Sequence, residues 1–496
     1  MRKPPLDFRC PSVPALRQPA ARATVYRIRV ITPLFGGGVE PGVNDPVTVI
    51  RPSSVRGHLR FWWRATRGAR FSDVRELRQR EAEIWGSSSN ASLVQVRTET
   101  ITRDQNRQAR PVPVASYEME RDRNGNERPK LKWKPLFDNP ALRYILFPFQ
   151  GKSPGDEDPP KKCWPDVEFS LSIHLPEPST IAEHRAAFNK QRQKLKLPLL
   201  GENTDDIALD VDAAVWVWVN FGGIGARTRR GCGALYCQAL APPAFHSHSE
   251  WISWISGKVE EYQLGNTPGK REWPVLSPRR VMHKNVAEDK ISAWKTAVGT
   301  LREFRQGVPA GRAASTTGKP AGRSHWPEPE TIRKLILQQR SASRPMARWR
   351  SEQPHIPMGF PRAEFGLPII FEIPGEPIYK ITYAPSDEPT ETDRKSIKPT
   401  LQPDEDSDRL ASPLILRPMM FKDGKAHAMI VCLKVRRKQG AYLARGTHDL
   451  LHHYPVGELE IRNRVFSTYP NSPLAGSRLG SAIMAFLSFA RSKGFV

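Results

Sequence analysis

Residues 51–70 read RPSSVRGHLRFWWRATRGAR and hold six arginines without a single acidic residue. At about 100° per residue, a helix divides this segment into two faces. One face carries the side chains that a core would take up: Val55, Leu59, Trp62 and Thr66. The neighbouring face carries a row of guanidinium groups: Arg56, Arg60, Arg64 and Arg67. The pattern predicts an amphipathic helix with one buried stripe and one basic stripe.

The basic stripe of this predicted helix indicates an anionic ligand. Unpaired guanidinium groups in a row repel one another, and that cost becomes a gain when phosphates lie along them. Arg51, Ser53, Ser54 and the free N–H groups of the first turn add an anion site at the positive end of the helix. The alternative is a basic face that contacts only water, but such faces usually interleave glutamate with arginine. Contact with RNA or DNA is therefore favoured.

A second motif, FGGIGARTRRGCG at residues 221–233, combines glycine with arginine. Its glycines allow the backbone to turn tightly and to approach a phosphate or a sugar. They are Gly222, Gly223, Gly225, Gly231 and Gly233. Charge and a hydroxyl donor come from Arg227, Thr228, Arg229 and Arg230. The motif lacks GxxxxGK[ST] and is therefore no P-loop, and a glycine-rich hairpin with incidental arginines is the alternative.

The composition of the chain supports a polyanionic partner. Its 496 residues suffice for roughly two to four cores. The 76 lysines and arginines against 51 acidic residues leave a net charge of +25. A chain this basic repels itself unless a polyanion neutralises it, and nucleic acid is the commonest such partner. Ribosomal or membrane-surface binding gives the same composition, so charge alone sets only the class of partner.

Cysteine usage and hydropathy predict a soluble, cytoplasmic protein. Of the five cysteines only Cys232 and Cys237 lie close together, and no second pair completes a zinc site. We therefore expect reduced thiols, no metal and no cofactor. The N-terminus lacks the apolar stretch of a signal peptide. The longest apolar run, residues 213–219, is far shorter than the roughly 18–20 residues that span a bilayer.

The order of predicted elements indicates an α+β fold. In the first half we predict strands at 24–31, 93–98, 142–147, 167–175 and 234–238, and helices at 51–70, 73–85 and 204–219. In the second half we predict strands at 278–283, 367–372, 378–383, 414–419 and 428–435, and helices at 251–261, 289–304, 331–339 and 474–491. Residues 102–130, 306–329 and 385–408 lack an apolar pattern and are predicted to be loops, the last two flexible. The first half suits a split βαβ, or ferredoxin-like, domain, and the second half is a looser candidate for another copy.

Aromatic and histidine side chains leave alternatives open. Trp62 falls on the buried stripe, whereas Trp63 lies between the two stripes and could pack inward or stack on a base. His58 could act as a general base on a ribose hydroxyl, but its arc lies away from the arginines, so we expect it at the surface. HDLLHH at residues 448–453 has no second acidic cluster to support a metal site.

Three segments, taken together and in this order, carry a resemblance to a known family. They are ITPLFGGG at 31–38, IRPSSVRGHLRFWWRA at 50–65 followed by EAEIWGS at 81–87, and FGGIGARTRRGCGAL at 221–235. They resemble the RAMP superfamily, and within it the first-numbered subunit of type III-B (Cmr) CRISPR effector complexes. FGLPIIFE at 365–372 and RLASPLILRP at 409–418 extend the likeness into the second half. Trp85 and Cys232 depart from the family's pattern, which usually has phenylalanine at the first position and an aromatic residue at the second.

The resemblance implies two tandem ferredoxin-like (RRM-like) domains with long loop insertions, which we expect at residues 1–240 and 241–496. It also implies a non-catalytic subunit at the end of a filament, engaging the 3′ region of CRISPR RNA and the target RNA beside other Cmr subunits, with no membrane partner. Guide–target pairing then carries sequence specificity while the protein reads backbone and shape. The expected RNA-binding residues are Gly36, Gly37, Gly38, Arg51, Ser53, Ser54, Arg56, Arg60, Arg64, Arg67, Gly225, Arg227, Thr228, Arg229 and Arg230.

Two other functions stay open at this point. One is a RAMP-type endoribonuclease that matures CRISPR RNA, in which His58 or a distant histidine assists attack by a 2′-hydroxyl. The other is a basic RNA-binding protein outside CRISPR biology.

Overall fold

In a computed structural model of the chain, the described residues are 22–38, 42–45, 47–101, 110–122, 124–151, 159–264, 273–315, 322–338, 358–366, 369–371, 379–384, 411–435, 440–445, 449–454, 456–475 and 480–496. These residues combine helices with antiparallel sheets, so the α+β prediction is confirmed. Among them, no helix is long and apolar enough to cross a membrane. The loop predicted at 385–408 lies outside the described residues.

The first half of the chain contains nine strands and five helices among its described residues. They are β1 Arg22–Val30, β2 Leu34–Phe35, α1 Pro52–Ala65, α2 Val74–Trp85, β3 Gln95–Ile101, β4 Val112–Pro113, β5 Ala115–Arg121, β6 Glu127–Trp133, α3 Pro140–Leu146, β7 Lys162–Trp164, β8 Val167–Leu175, α4 Pro178–Lys194, α5 Asp205–Phe221 and β9 Leu235–Tyr236. Short 3-10 turns at Arg67–Arg70 and Thr228–Arg230 follow α1 and α5.

The second half continues with further helices and strands. They are α6 His248–Glu261, β10 Val281–Glu288, α7 Lys290–Gln306, α8 Glu328–Gln338, β11 Ile369–Phe371, β12 Tyr379–Ala384, β13 Leu414–Met420, β14 Ala426–Cys432, β15 Gly440–Arg445, β16 Asp449–Tyr454, α9 Val456–Ser467 and α10 Ala482–Ser492. A 3-10 turn at Pro278–Arg280 leads into β10.

The main sheet of the first half has four antiparallel strands in the order β3-β8-β1-β9. β1 pairs with β8 along its whole length, from Arg22 opposite Leu175 to Val30 opposite Val167. The helices α1 and α2 connect β1 to β3, and α4 and α5 connect β8 to β9. The chain therefore runs strand, helices, strand, strand, helices, strand, with its first strand between its third and fourth.

The main sheet of the second half repeats this order. Its strands lie in the order β10-β14-β13, with α7 between β10 and β13 and α10 after β14. On the other edge of β10, the N–H of His283 donates to the carbonyl of Val496 and the N–H of Val496 donates back, both at 3.0 Å. The C-terminal residue thus takes the place of a fourth strand. The strands β11, β12, β15 and β16 form a separate sheet.

The two halves share their cores through β13 and β14, which are buried along nearly their whole length. Ile415 and Met419 of β13 join the cluster that includes α1 and α5 side chains. Leu414 and Leu416 alternate with them and join the cluster that includes α7 and α10 side chains. A strand with both faces covered reads as a continuous apolar run rather than an alternating one.

The helix predicted at 51–70 ends at Ala65. Thr66 leaves helical geometry (φ −125°, ψ −92°), and its hydroxyl donates to the carbonyl of Trp62 at 2.6 Å. The 3-10 turn at Arg67–Arg70 takes the remaining residues in a different direction. The helical projection of residues 51–70, which placed Arg67 on the basic stripe, therefore does not apply beyond Ala65.

Two other predictions in the first half are wrong. The strand predicted at 142–147 falls on α3, because Asn139 caps this segment by accepting a bond from the N–H of Ala141 and Pro140 occupies the first turn. Residues 110–130, predicted as loop, contain β4 and most of the β5–β6 hairpin. The hairpin is held by facing charges such as Glu118 with Lys132 at 2.5 Å, and its exposed faces leave no apolar alternation to detect. Other elements that were not predicted are β2, β7, α4, α9, β15 and β16.

A buried network of charges joins the helices of the first half. Asp210 of α5 is fully buried and accepts from the guanidinium groups of Arg67 and Arg80, the latter at 2.6 Å. Arg80 of α2 also binds Glu83 at 2.6 Å. Glu83 in turn accepts from Arg185 of α4 at 2.8 Å. Each carboxylate is therefore shared between arginines from different elements.

The charge of Asp210 depends on these partners. Burial acts to raise the pKa of its carboxyl, but the positive charges of Arg80, Arg70 and Arg67 outweigh burial and hold the pKa below its ordinary value. Because the folded pKa is depressed, the stabilisation is present above the ordinary value of about 4 and is lost as pH falls through the folded value.

We predict that Asp210→Ala lowers the free energy of unfolding by about 3–5 kcal/mol, because the buried Arg67 loses its carboxylate partner and the buried Arg80 loses one of its own. The variant should also lose part of the acid-dependent decline in stability below about pH 4. Urea unfolding followed by circular dichroism at several pH values measures both effects.

The matched control is Asp212→Ala on the same helix. Asp212 pairs with Arg22 at 2.6 Å in a partly exposed position, where such pairs contribute about 0–1 kcal/mol. Equal losses in the two variants would show that the buried network does not hold the helices together.

Candidate nucleic-acid interface

The two glycine-rich segments predicted as separate loops lie against each other. The N–H of Ala226 donates to the carbonyl of Phe35 at 2.7 Å, and the N–H of Gly233 donates to Pro33 at 3.0 Å. The buried hydroxyl of Thr32 donates to the carbonyl of Gly231 at 2.6 Å. Residues 32–38 and 222–233 therefore form one unit at the end of β1 and α5, which we call the glycine platform.

The glycines of this platform are required by packing inside the protein. A Cβ on Gly222 would lie 2.5 Å from Trp62 Nε1 and 2.6 Å from the carbonyl of Trp218. Gly225 has φ +85°, and a Cβ there would lie 2.4 Å from the carbonyl of Phe35. The sequence-based reason for these glycines, close approach to a phosphate, is thus not needed to explain them.

The glycine motif at 36–38 has the same internal character. Gly36 is buried with φ +68°, and its Cβ position lies 3.4 Å from the Cβ of Ala226. The N–H of Gly38 donates to the carbonyl of Val43 at 2.8 Å. Gly37 is half-buried beside the carbonyl of Val49.

A cleft with a volume of about 470 Å³ separates α1 from the glycine platform. Its α1 wall includes Ser54, Gly57, His58 and Phe61, whose spacing of three and four residues places them on one face of the helix, together with Trp62 of the buried stripe. The opposite wall includes Thr228 and Arg229 from the 3-10 turn. This face is distinct from both the buried stripe and the basic stripe, so α1 has three functional faces rather than two.

His58 lines this cleft and is half-buried, so the expectation of a surface position holds only in part. Its imidazole lies parallel to the ring of Trp218 at 6.1 Å between centroids. Burial lowers the pKa of His58 to about 4, so the ring is neutral at pH 7. Among the described residues that line the cleft there is no carboxylate and no second histidine.

The basic stripe of α1 is not a row of unpaired charges. Arg60 Nε and Arg64 NH1 both donate to one oxygen of Glu81 in α2, at 2.6 and 2.5 Å. Glu81 lies in the EAEIWGS segment and is 7% exposed, whereas the two arginine side chains are 38% and 33% exposed. Each guanidinium therefore keeps donors that face solvent, and the pair retains one net positive charge.

The other predicted residues at α1 differ in availability. Arg67 is buried against Asp210 and cannot reach a surface ligand, which corrects its place on the basic stripe. Arg51 pairs with Asp45, so the anion site expected from it at the start of α1 already holds a carboxylate. Ser53 and Ser54 are exposed there, and Arg56 is half-buried with no ion pair to any described residue. Trp63 is fully buried, so the open question at that position is settled in favour of the core.

The arginines of the 3-10 turn Thr228–Arg230 are bound to backbone rather than to carboxylates. Arg229 donates to the carbonyl of Ser412 and lies over the ring of Phe61 at 5.5 Å. Arg230 donates to the carbonyl of Leu414 at 3.3 Å. Burial lowers the pKa of Arg229 and of Arg230 to about 10, so both stay charged at pH 7. They connect the glycine platform to the segment that opens β13.

Two further arginines extend this pattern. Arg227, with φ +58°, lies over the ring of Phe149 at 5.8 Å. Arg417 of β13 is buried and donates to the carbonyls of Val219 at 3.0 Å and Gly222 at 2.5 Å. Burial lowers the pKa of Arg417 to about 9, because no carboxylate stands near it. Sequence reasoning missed Arg417, although a lone arginine inside the apolar run LILRPMM was its signal.

Arg229 gives the wall of the cleft a positive charge, and none of the described lining residues carries a negative one. Arg229 lines it, Arg417 binds the carbonyl of the lining residue Gly222, and Arg227 and Arg230 lie in the same turn as Arg229. None of the four forms an ion pair with an acidic residue in the described part of the chain. Backbone carbonyls hold guanidinium groups in place but carry only partial charge, so the electrostatic potential in the cleft stays positive.

Comparison with known proteins confirms the resemblance drawn from the motifs. Residues 27–236 match the RAMP superfamily. The CRISPR system Cmr subunit Cmr1-2 of Pyrococcus furiosus is 25% identical over 219 residues, which cover 44% of this chain and 95% of that protein. All three motif segments of the first half lie inside the matched region, whereas residues 365–372 and 409–418 lie outside it.

Weaker likenesses connect the chain with solved structures. The crystal structure of Cmr1 from Pyrococcus furiosus in its apo form has a TM-score of 0.42 and 14% identity, covering 90% of this chain and 96% of that one. A cryo-EM structure of the type III-B Cmr-beta complex bound to cognate target RNA includes a chain with a TM-score of 0.43 and 14% identity, covering 84% and 96%. The likeness to the RAMP superfamily rests on the sequence match over residues 27–236.

We predict opposite effects for two alanine substitutions that face the cleft. Gly222→Ala should lower the free energy of unfolding by about 1–3 kcal/mol, because its Cβ would overlap Trp62 and Trp218. Gly57→Ala should raise it by up to about 1 kcal/mol, because no atom lies within 4 Å of its Cβ position and alanine favours the helix. Urea unfolding of the two variants measures both changes, and a stable Gly222→Ala would contradict the packing described for the platform.

Proposed function

We propose that this chain is a non-catalytic RNA-binding subunit of a type III-B (Cmr) CRISPR effector complex, engaging the 3′ region of the CRISPR RNA and the target RNA. The RAMP match over residues 27–236 and the likeness to a Cmr1 subunit support the complex. Its partners are then the two RNAs and other Cmr subunits in the cytoplasm. The observation that carries RNA binding is the cleft between α1 and the glycine platform, whose described lining includes Arg229 and no carboxylate, with the unpaired Arg227, Arg230 and Arg417 on the adjoining segments.

The chemistry of the cleft suits a nucleotide. A phosphate there would gain the Coulomb energy of Arg229 and of the neighbouring arginines without first breaking an ion pair. The hydroxyls of Ser54 and Thr228 can bind phosphate or ribose oxygens. The ring of Phe61 and the neutral imidazole of His58 offer apolar faces against which a base can stack.

The basic stripe of α1 then serves as the flank of this site. Arg60 and Arg64 keep solvent-facing donors beside Glu81, and Arg56 stands one turn before Arg60. An RNA strand leaving the cleft can neutralise these charges along its backbone. The arginines contact phosphates and the shape of the backbone, which leaves sequence recognition to base pairing between guide and target.

The repeated strand order supports two tandem ferredoxin-like, RRM-like units, with the boundary between residues 240 and 241. In each half the first strand lies between the third and the fourth, and helices follow the first and third strands. The two units share a core, because Trp251 and Ile255 of α6 pack into the cluster of the first unit. The sheet of β11, β12, β15 and β16 is then an insertion in the second unit.

One observation favours a catalytic alternative, a metal-independent endoribonuclease with His58 as general base. A neutral imidazole in a basic cleft could accept the proton of a ribose 2′-hydroxyl. Against this stands the lack, in the described lining, of a carboxylate that could orient the ring or of a second histidine that could act as general acid toward the leaving oxygen. Cleavage of RNA by the purified chain without metal, lost in His58→Ala, would overturn the non-catalytic proposal.

We predict that Gly57→Leu weakens binding of a single-stranded RNA of about 20 nucleotides by tenfold or more, because the new side chain fills the cleft. Fluorescence anisotropy measures the affinity, and thermal unfolding verifies the fold. Ala187→Leu is the control, since Ala187 is an exposed α4 residue outside the cleft lining. Equal affinities of the two variants would remove the cleft as the RNA site.

The flank is tested by a triple substitution, Arg60→Gln, Arg64→Gln and Glu81→Gln, compared with Glu81→Gln alone. Replacing the two arginines alone would leave the buried Glu81 without its partners and would destabilise the fold. The comparison with Glu81→Gln avoids this, so a change in affinity reports on RNA binding. Each lost phosphate contact should lower the slope of log affinity against log salt by about 0.7 on single-stranded RNA, giving about 1.4 for two. A triple variant with the slope of Glu81→Gln would show that these arginines serve structure alone.

A further inference from the structure

A second basic hollow lies in the second half of the chain, with a volume of about 280 Å³. Its rim carries four cationic side chains, and its floor is apolar. The rim consists of Arg279, Arg280, Lys434 and Arg491, and the apolar part of Met282, Met484 and Leu487. It shares no lining residue with the cleft between α1 and the glycine platform.

The hollow is built from three segments held in register. Met484, Leu487 and Arg491 are spaced by three and four residues, so α10 presents them on one face. The backbone of Lys434 exchanges hydrogen bonds with Val275 at 2.7 and 2.9 Å, which fixes the end of β14 beside the turn Pro278–Arg280. The cations therefore come from three separate parts of the chain and converge on one place.

The charge of this hollow is not cancelled from within. The described residues that line it include no aspartate or glutamate. Arg279, Arg280 and Arg491 form no ion pair with any carboxylate in the described part of the chain. This arrangement contrasts with Arg80 and Arg185, whose charges are matched by buried acids a few ångströms away.

We infer that this hollow binds the backbone of single-stranded RNA, with phosphates on the arginine rim and a ribose or base against Met484 and Leu487. The inference rests on the proposed RNA-binding function and adds a second contact point to it. Single carboxylates of a protein partner would each neutralise one charge, whereas a polynucleotide brings successive phosphates to the three arginines of the rim. A nucleotide also presents an apolar face next to its phosphate, which matches an apolar floor beneath a basic rim.

The test uses the full chain and an oligouridylate of about 20 nucleotides that carries 4-thiouridine. In Arg280→Gln with Arg491→Gln, the slope of log affinity against log salt should fall by about 1.4, because two phosphate contacts are lost. Photo-crosslinks to the peptides that contain Arg280 and Met484 should be present in the unsubstituted chain and weakened in the variant. Met484→Glu, at a position 41% exposed, adds a repelling carboxylate and should weaken binding at least as much.

The control is Arg75→Gln with Arg78→Gln, two exposed arginines of α2 outside both sites. Unchanged slope and crosslinks in the hollow variants, while Gly57→Leu still weakens binding, would overturn this inference and leave the proposed function intact. Loss of RNA binding in none of the variants, or no binding by the unsubstituted chain, would overturn both. Binding of polyglutamate that the hollow variants abolish, with RNA binding unchanged, would assign the hollow to an acidic protein partner instead.

Discussion

The buried carboxylate of Asp210 is the constraint on which the first half of this protein depends. Three helical segments meet at this group: the turn after α1 through Arg67, α2 through Arg80, and α5 through Asp210 itself. Glu83 and Arg185 continue the network to α4. Arg67, Arg70, Arg80 and Arg185 face Asp210, Glu83 and Asp206, so four positive charges meet three negative ones. A network of shared carboxylates of this kind fixes the direction of α1 relative to α2 and α5.

The arginines around the cleft obey the opposite rule. Arg229, Arg230 and Arg417 are held by carbonyl oxygens of the glycine platform, of β13 and of the segment before it. A carbonyl dipole orients a guanidinium almost as well as a carboxylate does, but it leaves the full charge in place. The protein thus uses arginine in two ways, and the difference between them is the presence of an acid. Arginines paired with acidic residues join the helices, whereas arginines without an acidic partner leave positive charge beside the cleft.

Sequence patterns could predict the elements whose physical cause is local. Alternation located β8 residue for residue, and the spacing of Val55, Leu59 and Trp62 located the buried face of α1. The patterns failed where the cause lies elsewhere in the chain. Glu81 is seventeen residues beyond Arg64, so a helical wheel of α1 cannot show that its arginines are paired. The end of α1 at Thr66 depends on a single hydroxyl, and that end decides whether Arg67 faces water or Asp210.

The cleft face of α1 was visible in the sequence and was still passed over. Ser54, Gly57, His58 and Phe61 have the spacing of a helical face, but they share neither charge nor hydropathy. Only the opposite wall makes them a site, because Arg229 lies over Phe61 and the platform glycines allow Trp62 and Trp218 to approach the backbone. A composite surface of this kind is defined by what it faces. In the sequence these glycines resemble a phosphate-binding loop. In the structure they allow the close backbone packing that places Arg229 in the wall of the cleft.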